Sequence, residues 1–237
     1  MTPLRRLLCL LAVVLTGATF DGAAAVVEVA PVTHELAPGK AALSMTVSNR
    51  GDAAVTLQVR GFAWTQEHGE DRLVPVTDVI VAPAIFTLAA GQAQVVRALV
   101  QAPPADAERT YRLLIDELPA AGSDAQVRMA LRISVPVFVH AQARVPAQLE
   151  WRVEQGARTL VASNRGGSRE RLREIVLIGP SGQRIEPLNP FGPYLLAGAQ
   201  RRWSIGAAAR TLKPGDPLLL TAITDAGRIE VPVVVAP

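Results

Sequence analysis

The sequence predicts an all-β protein of two sandwich domains behind an export signal. Three observations predict it. Apolar and polar residues alternate with a period of two from residue 26 onward. Small and branched aliphatic residues dominate, and aromatics make up only 4% of the chain. Turn formers such as Pro38-Gly39, Asn49-Arg50-Gly51-Asp52 and Pro103-Pro104 interrupt the alternation at short intervals. With 237 residues, 49% apolar and 19% charged, the chain is long enough for two ordinary domains and apolar enough to give each a core.

The N-terminus reads as the export signal. Arg5 and Arg6 precede the apolar run Leu7–Leu15, and Gly22-Ala23-Ala24-Ala25 supplies small residues for a signal protease. The apolar run is too short to span a bilayer as a helix, which favours a cleaved signal over a retained anchor. Cleavage is expected after Ala25, with Ala24 the near alternative. It removes Cys9, the only cysteine, and with it any disulfide or thiolate ligand. No later apolar run is long enough to cross a membrane, so the mature protein is expected to be soluble, outside the cytoplasm and not membrane-inserted.

The charge balance, 24 Lys+Arg against 21 Asp+Glu, is too even to imply nucleic acid. Nearly all the cations are arginines, which suit fixed, forked contacts with carboxylates.

Strand candidates run from Val27 to Pro31, Ala42 to Ser48, Val55 to Trp64, Val79 to Val81, Gln94 to Val100, Thr110 to Asp116 and Gln126 to His140. Roughly seven strands before residue 141 is the size of one immunoglobulin-like sandwich. After a joint at His140–Pro146, further candidates lie at Leu149–Val153, Arg158–Ala162, Glu174–Ile178, Arg202–Ile205, Leu218–Ile223 and Arg228–Val235. The expected organisation is a signal over 1–25, an immunoglobulin-like domain over 26–143 and a smaller β-sandwich over 144–237. The string Ser-Asn-Arg-Gly occurs at Ser48–Gly51 and at Ser163–Gly166. It favours two related modules over the simpler reading of a pair of ordinary turns.

Catalytic chemistry is hard to find. His34, His68 and His140 share no metal-binding spacing, and no nucleophile elbow, phosphate loop or dinucleotide fingerprint occurs. His68 sits in what reads as a polar hairpin loop, Gln66–Arg72. Asn189–Tyr194 is a conspicuous loop whose aromatics are expected to pack within the second domain. Trp64, Trp151 and Trp203 read as core or domain-interface anchors. No cofactor or metal is expected.

The longest expected strand, Gln126–His140, carries one almost wholly aliphatic stripe: Val127, Met129, Leu131, Ile133, Val135, Val137 and Val139. Such a stripe either fills its own sandwich or, on an open sheet edge, enters another protein's groove while the backbones pair. Alternation alone leaves both readings open.

Several ordered pieces resemble the periplasmic chaperones of the chaperone–usher pilus pathway, closest to the archaic branch associated with spore-coat-U-like subunits. They are Val29-Ala30-Pro31 with Leu36–Gly39, Leu43–Asn49, Pro83–Leu88 with Gly91-Gln92 and Val96-Arg97, Tyr111–Pro119, Leu131–Val139 and Ala162–Gly166. The resemblance implies two immunoglobulin-like domains set at an angle, a periplasmic location and no enzymatic activity. It implies pilus subunits and an outer-membrane usher as partners, and leaves open a self-dimer of the free protein. It also implies donor-strand residues Val127, Met129, Leu131 and Ile133. In that family a first-strand arginine and a last-strand lysine commonly clasp the subunit's C-terminal carboxylate. Here those places fall on Thr33 (or His34) and Pro136, which carry no permanent charge. Substitute anchors are Arg112, Arg97, Arg132 and Arg128. Pairing is expected to stop or bend at Pro136. Fold alone leaves open a sugar-binding or adhesive module and a β-sandwich hydrolase.

Overall fold

The computed structural model describes residues 26–101, 105–118, 131–154, 156, 158–188, 192–207 and 212–236. The expected signal, 1–25, lies outside them.

The first half forms β1 (Val27–Ala30), β2 (His34–Leu36), β3 (Ala42–Asn49), β4 (Val55–Glu67), β5 (Glu70–Pro75), β6 (Val79–Ala82), β7 (Ile85–Leu88), β8 (Ala93–Val100), β9 (Arg109–Leu118) and β10 (Arg132–Val139). One sheet has the order β1-β3-β8-β6; the other has β2-β10-β9-β4-β5, with β7 also on β4. The alternation explains the layering. On β3, Leu43, Met45 and Val47 point inward between exposed neighbours, and on β8 Val96, Ala98 and Val100 do the same. They meet Leu57, Val59, Leu113, Ile115, Val135 and Val137 from the facing sheet in one core.

Among the described residues of this half, ten strands form where roughly seven were expected, because short segments such as β2 and β7 are too brief to show periodicity. The longest described strand is β4, with 13 residues. β10 covers Arg132–Val139 of the expected Gln126–His140, whose first residues lie outside the described ones. The β4–β5 hairpin turns on His68 (φ 53°) and Gly69 (φ 90°). Two consecutive left-handed residues make the tight turn whose twist matches antiparallel strands.

The second half forms β11 (Leu149–Glu154), β12 (Thr159–Asn164), β13 (Glu170–Arg171), β14 (Arg173–Ile178), β15 (Arg184–Ile185), β16 (Tyr194–Leu195), β17 (Gln200–Ser204), β18 (Pro217–Thr224) and β19 (Gly227–Ala236). Seven pair in the order β15-β14-β18-β19-β11-β12-β17, and β13 pairs β16. Ile185 at one end of that path and Trp203 at the other share a core with Leu160, Leu177, Leu220 and Val233, so the strands wrap around a single interior. Trp151 and Trp203 stack there, 6.1 Å apart.

The repeated Ser-Asn-Arg-Gly is more than a pair of turns. Asn49 and Asn164 are both buried. The Asn49 side-chain amide donates to the carbonyls of Ala53, Leu88 and Ala89 at 2.7–3.2 Å. Asn164 donates to Ser168, Leu195 and Leu196 at 2.8–3.5 Å. Each accepts from the glycine two residues on, at 3.0 and 2.9 Å. The arginine of each repeat donates its backbone N–H to the residue before its domain's first strand, Val26 or Gln148. The two domains thus share one corner device, which ties a loop and the entering chain to the strand end. At Gly166 a Cβ would lie 2.0 Å from the Pro146 carbonyl oxygen, so the linker passes too close for any side chain.

Candidate functional site

Strand β10 is bound on one side and open on the other. β9 pairs with it without a register shift from Arg132↔Asp116 to Val139↔Arg109. β2 joins the opposite flank only over Val137–Val139. Among the described residues no strand covers that flank from Arg132 to Pro136. The Glu117 N–H donates to the Leu131 carbonyl at 3.0 Å, and such pairs recur at every second residue of an antiparallel ladder. Leu131, Ile133 and Val135 therefore direct their backbone groups toward β9. Arg132, Ser134 and Pro136 direct theirs toward the open flank. This corrects the expectation that pairing stops or bends at Pro136: its missing N–H falls on the open side, where the ladder to β9 does not need it.

Side chains follow the same alternation. Val135 and Val137 are buried in the first domain's core. Ile133 packs at its margin, and Leu131, one step further out, is half-buried. The aliphatic stripe thus runs from the closed interior to the mouth of the sandwich beside unused backbone groups.

Below this edge the domains meet in an aromatic cluster. Trp64 and Phe138 from the first domain pack with Tyr194 from the second at centroid distances of 5.2–5.9 Å. Tyr194 therefore works between the domains, a correction to the expectation of packing within the second; Asn189–Phe191 of its loop lie outside the described residues. Arg112 lays its guanidinium 3.8 Å over the Trp64 ring, donates to the Ser134 hydroxyl at 3.0 Å and stands 3.6 Å from Asp71 Oδ2. Asp71 Oδ1 accepts from Arg201 at 2.7 Å. Burial lowers the Arg112 pKa and nearby Arg201 lowers it further, against the pull of Asp71; the group stays a cation.

A second set of charges binds the domains nearby. Arg169 stacks 3.5 Å over Phe138, donates to Glu108 at 2.6 Å and reaches Glu35. His140 lies 3.2 Å from both of these carboxylates.

Residues 27–144 match the family described as pili and flagellar-assembly chaperone, PapD N-terminal domain. The chain belongs to the periplasmic pilus-assembly chaperones of the chaperone–usher pathway. No curated protein matches it by sequence. Solved structures share its fold. The chaperone resembles a structure of the CsuC–CsuE chaperone–tip adhesion subunit pre-assembly complex from archaic Csu pili of Acinetobacter baumannii, with TM-score 0.64 and 19% identity over 88% of this chain and 98% of that one. It also resembles the E. coli chaperone DraB, with TM-score 0.59 and 17% identity over 87% and 96% of the two chains. A Salmonella enterica complex of the SafA pilin with the SafB chaperone gives TM-score 0.60 and 17% identity over 90% and 97%.

Within the chaperone the expected site residues separate. Leu131 and Ile133 sit together at the open edge; Val127, Met129 and Arg128 lie outside the described residues. Arg112 stands at the domain junction, over Trp64 and beside Asp71. Arg132 is tied to Asp116, which Arg60 also holds at 2.6 Å. Arg97 is exposed on the other sheet, between Ser44 and Ala82. Thr33 is half-buried just before β2. His34 is buried beside Val137, its Nε2 has no partner, and burial pushes its pKa down.

Sequence reasoning missed Asp71 and Arg201. In the sequence Asp71 falls within what reads as a polar hairpin loop, Gln66–Arg72. Arg201 did leave a signal, because it falls in phase with Trp203 on the buried face of β17. An arginine on an inward position needs a fixed acidic partner.

Proposed function

We propose that the chaperone captures pilus subunits by lending them the open edge of β10 and the residues leading into it, and then passes them to an outer-membrane usher. The observation that carries this reading is the flank of Arg132–Pro136, which no described strand covers, lying beside half-buried Leu131 and Ile133. An incoming strand can pair with the outward groups of Arg132 and Ser134 and end its pairing where β2 takes over at Val137. Val127, Met129, Leu131 and Ile133 form the donor stripe. Burial of each such side chain contributes roughly 1.5–3 kcal/mol before association costs.

Arg112 is the residue we assign to the subunit's C-terminal carboxylate. It lies at the domain junction beside the open edge, and Trp64 and Ser134 fix its orientation. We place the domain boundary between residues 143 and 144, in the stretch separating β10 from β11, and the chaperone in the archaic branch. No catalysis is required, since release follows when a better-fitting strand replaces the lent one.

The test is photocrosslinking from positions 129, 131 and 133 in cells producing the cognate subunit. Crosslinks to the subunit that disappear when the subunit's groove is filled by a fused strand support the reading. Crosslinks within the chaperone alone sink it.

A further inference from the structure

We propose that Arg201, on the second domain, is a positioning residue for the carboxylate anchor: by holding Asp71 it keeps Arg112 from being neutralised and leaves that charge for the ligand. The inference rests on the assignment of Arg112 above.

Arg201 is 2% exposed. It donates to Asp71 Oδ1 at 2.7 Å and to the Tyr194 carbonyl at 3.1 Å. Gln66 holds the same two acceptors, donating to Asp71 Oδ1 at 3.0 Å and to the Tyr194 carbonyl at 2.8 Å. Asp71 is therefore held on its Oδ1 side by two donors. Arg112 faces the other oxygen at 3.6 Å, beyond hydrogen-bonding length.

One carboxylate thus stands between two guanidiniums, and the trio carries a net positive charge. The surrounding cations do not alter this. Arg169 is committed to Glu108 and Glu35, and Arg171 is exposed, 5.7 Å from the Tyr194 ring centroid. Without Arg201, only the neutral Gln66 amide holds Asp71; the carboxylate then closes on Arg112 to form a neutral pair, and a ligand carboxylate meets no net cation. Without the Asp71 charge, Arg112 is freed. The two halves of one ion pair therefore have opposite effects on anion binding. A purely architectural salt bridge predicts the same effect from either half.

The experiment uses the full mature chaperone and a synthetic peptide with alternating aliphatic residues. The peptide is made once with a free C-terminal carboxylate and once amidated, and the readout is the ratio of the two dissociation constants. The wild-type protein is expected to prefer the free acid by about tenfold. Arg201→Gln should abolish most of that preference and Arg201→Lys should keep it. Asp71→Asn should widen it, and the double variant Arg201→Gln/Asp71→Asn should restore it. The double variant also removes both charges of the pair together, so it keeps the test intact where Arg201→Gln alone unfolds. Thermal melting identifies any unfolded variant. A preference in the wild type that survives in Arg201→Gln, or that falls alike in Asp71→Asn and the double variant, overturns the role of Arg201 and leaves Arg112 as anchor. No preference in the wild type overturns the assignment of Arg112 itself.

Discussion

Arg112 lies directly opposite Pro136 in the β9–β10 ladder. A proline on the last strand of the first domain can offer neither a cation nor a backbone donor to a ligand at the open edge. The neighbouring strand supplies the cation instead, and the guanidinium reaches alongside the edge to Ser134. The pair places charge and open backbone within one residue of each other.

Replacing Leu131 with Asp is expected to weaken subunit capture by about 10–100-fold, since the lost burial is worth roughly 1.5–3 kcal/mol. Arg50→Ala breaks an exposed ion pair with Glu28 and should leave capture unchanged. Pull-down of the cognate subunit from periplasmic extract compares the two, and equal capture by both removes Leu131 from the donor stripe.

Arg112→Ala should reduce affinity for a subunit with a free C-terminus by about tenfold or more, the range of a charge-assisted hydrogen bond. Arg112→Lys should recover only part, because lysine keeps the charge but loses the planar stack over Trp64 and the fork. Arg97→Ala, on the opposite sheet, should have no effect. Isothermal titration against purified subunit measures all three.

Acid should destabilise the protein in two separate windows. His34 has its pKa lowered by burial, so the unfolded chain takes up the proton first, and stability falls as pH drops below the ordinary value of 6.5. His34→Gln should flatten that first slope. Burial raises the Asp116 pKa, but hydrogen bonds from Arg132 and Arg60 outweigh it and leave the group below its ordinary 3.8. Its contribution is present above that value and is lost as pH falls below it. Urea denaturation from pH 8 to 3 resolves the two windows; a first slope unchanged in His34→Gln assigns it elsewhere.

Asn49→Ala and Asn164→Ala should each cost about 2 kcal/mol or more, because several carbonyls lose their donor at once. Asn164→Ala should also loosen the linker, since the Asn164 side-chain oxygen accepts from the Gln148 N–H at 3.0 Å. Hydrogen exchange at Gln148 and Gly166 reads this directly, and unchanged protection there shows that the corner does not hold the linker.

Much of the architecture was legible in the residues alone. Alternation marked β3, β4, β8 and β10 because a strand with one buried face must write that face into every second residue. The repeated Ser-Asn-Arg-Gly marked the two modules, although its buried hydrogen bonds were not visible. Short β2, β7 and β13 escaped, since two to four residues carry no period.

Local order along the chain carries the two β-domains, the aliphatic stripe and the absence of a charge at Pro136, because each is written into neighbouring residues. Which flank of β10 stays open, and the meeting of Asp71, Arg112, Tyr194 and Arg201 at the domain junction, follow from the folded arrangement alone. Those relations join residues up to 130 positions apart. Their physical basis is pairing across strands and domains, and no local pattern along the chain encodes it.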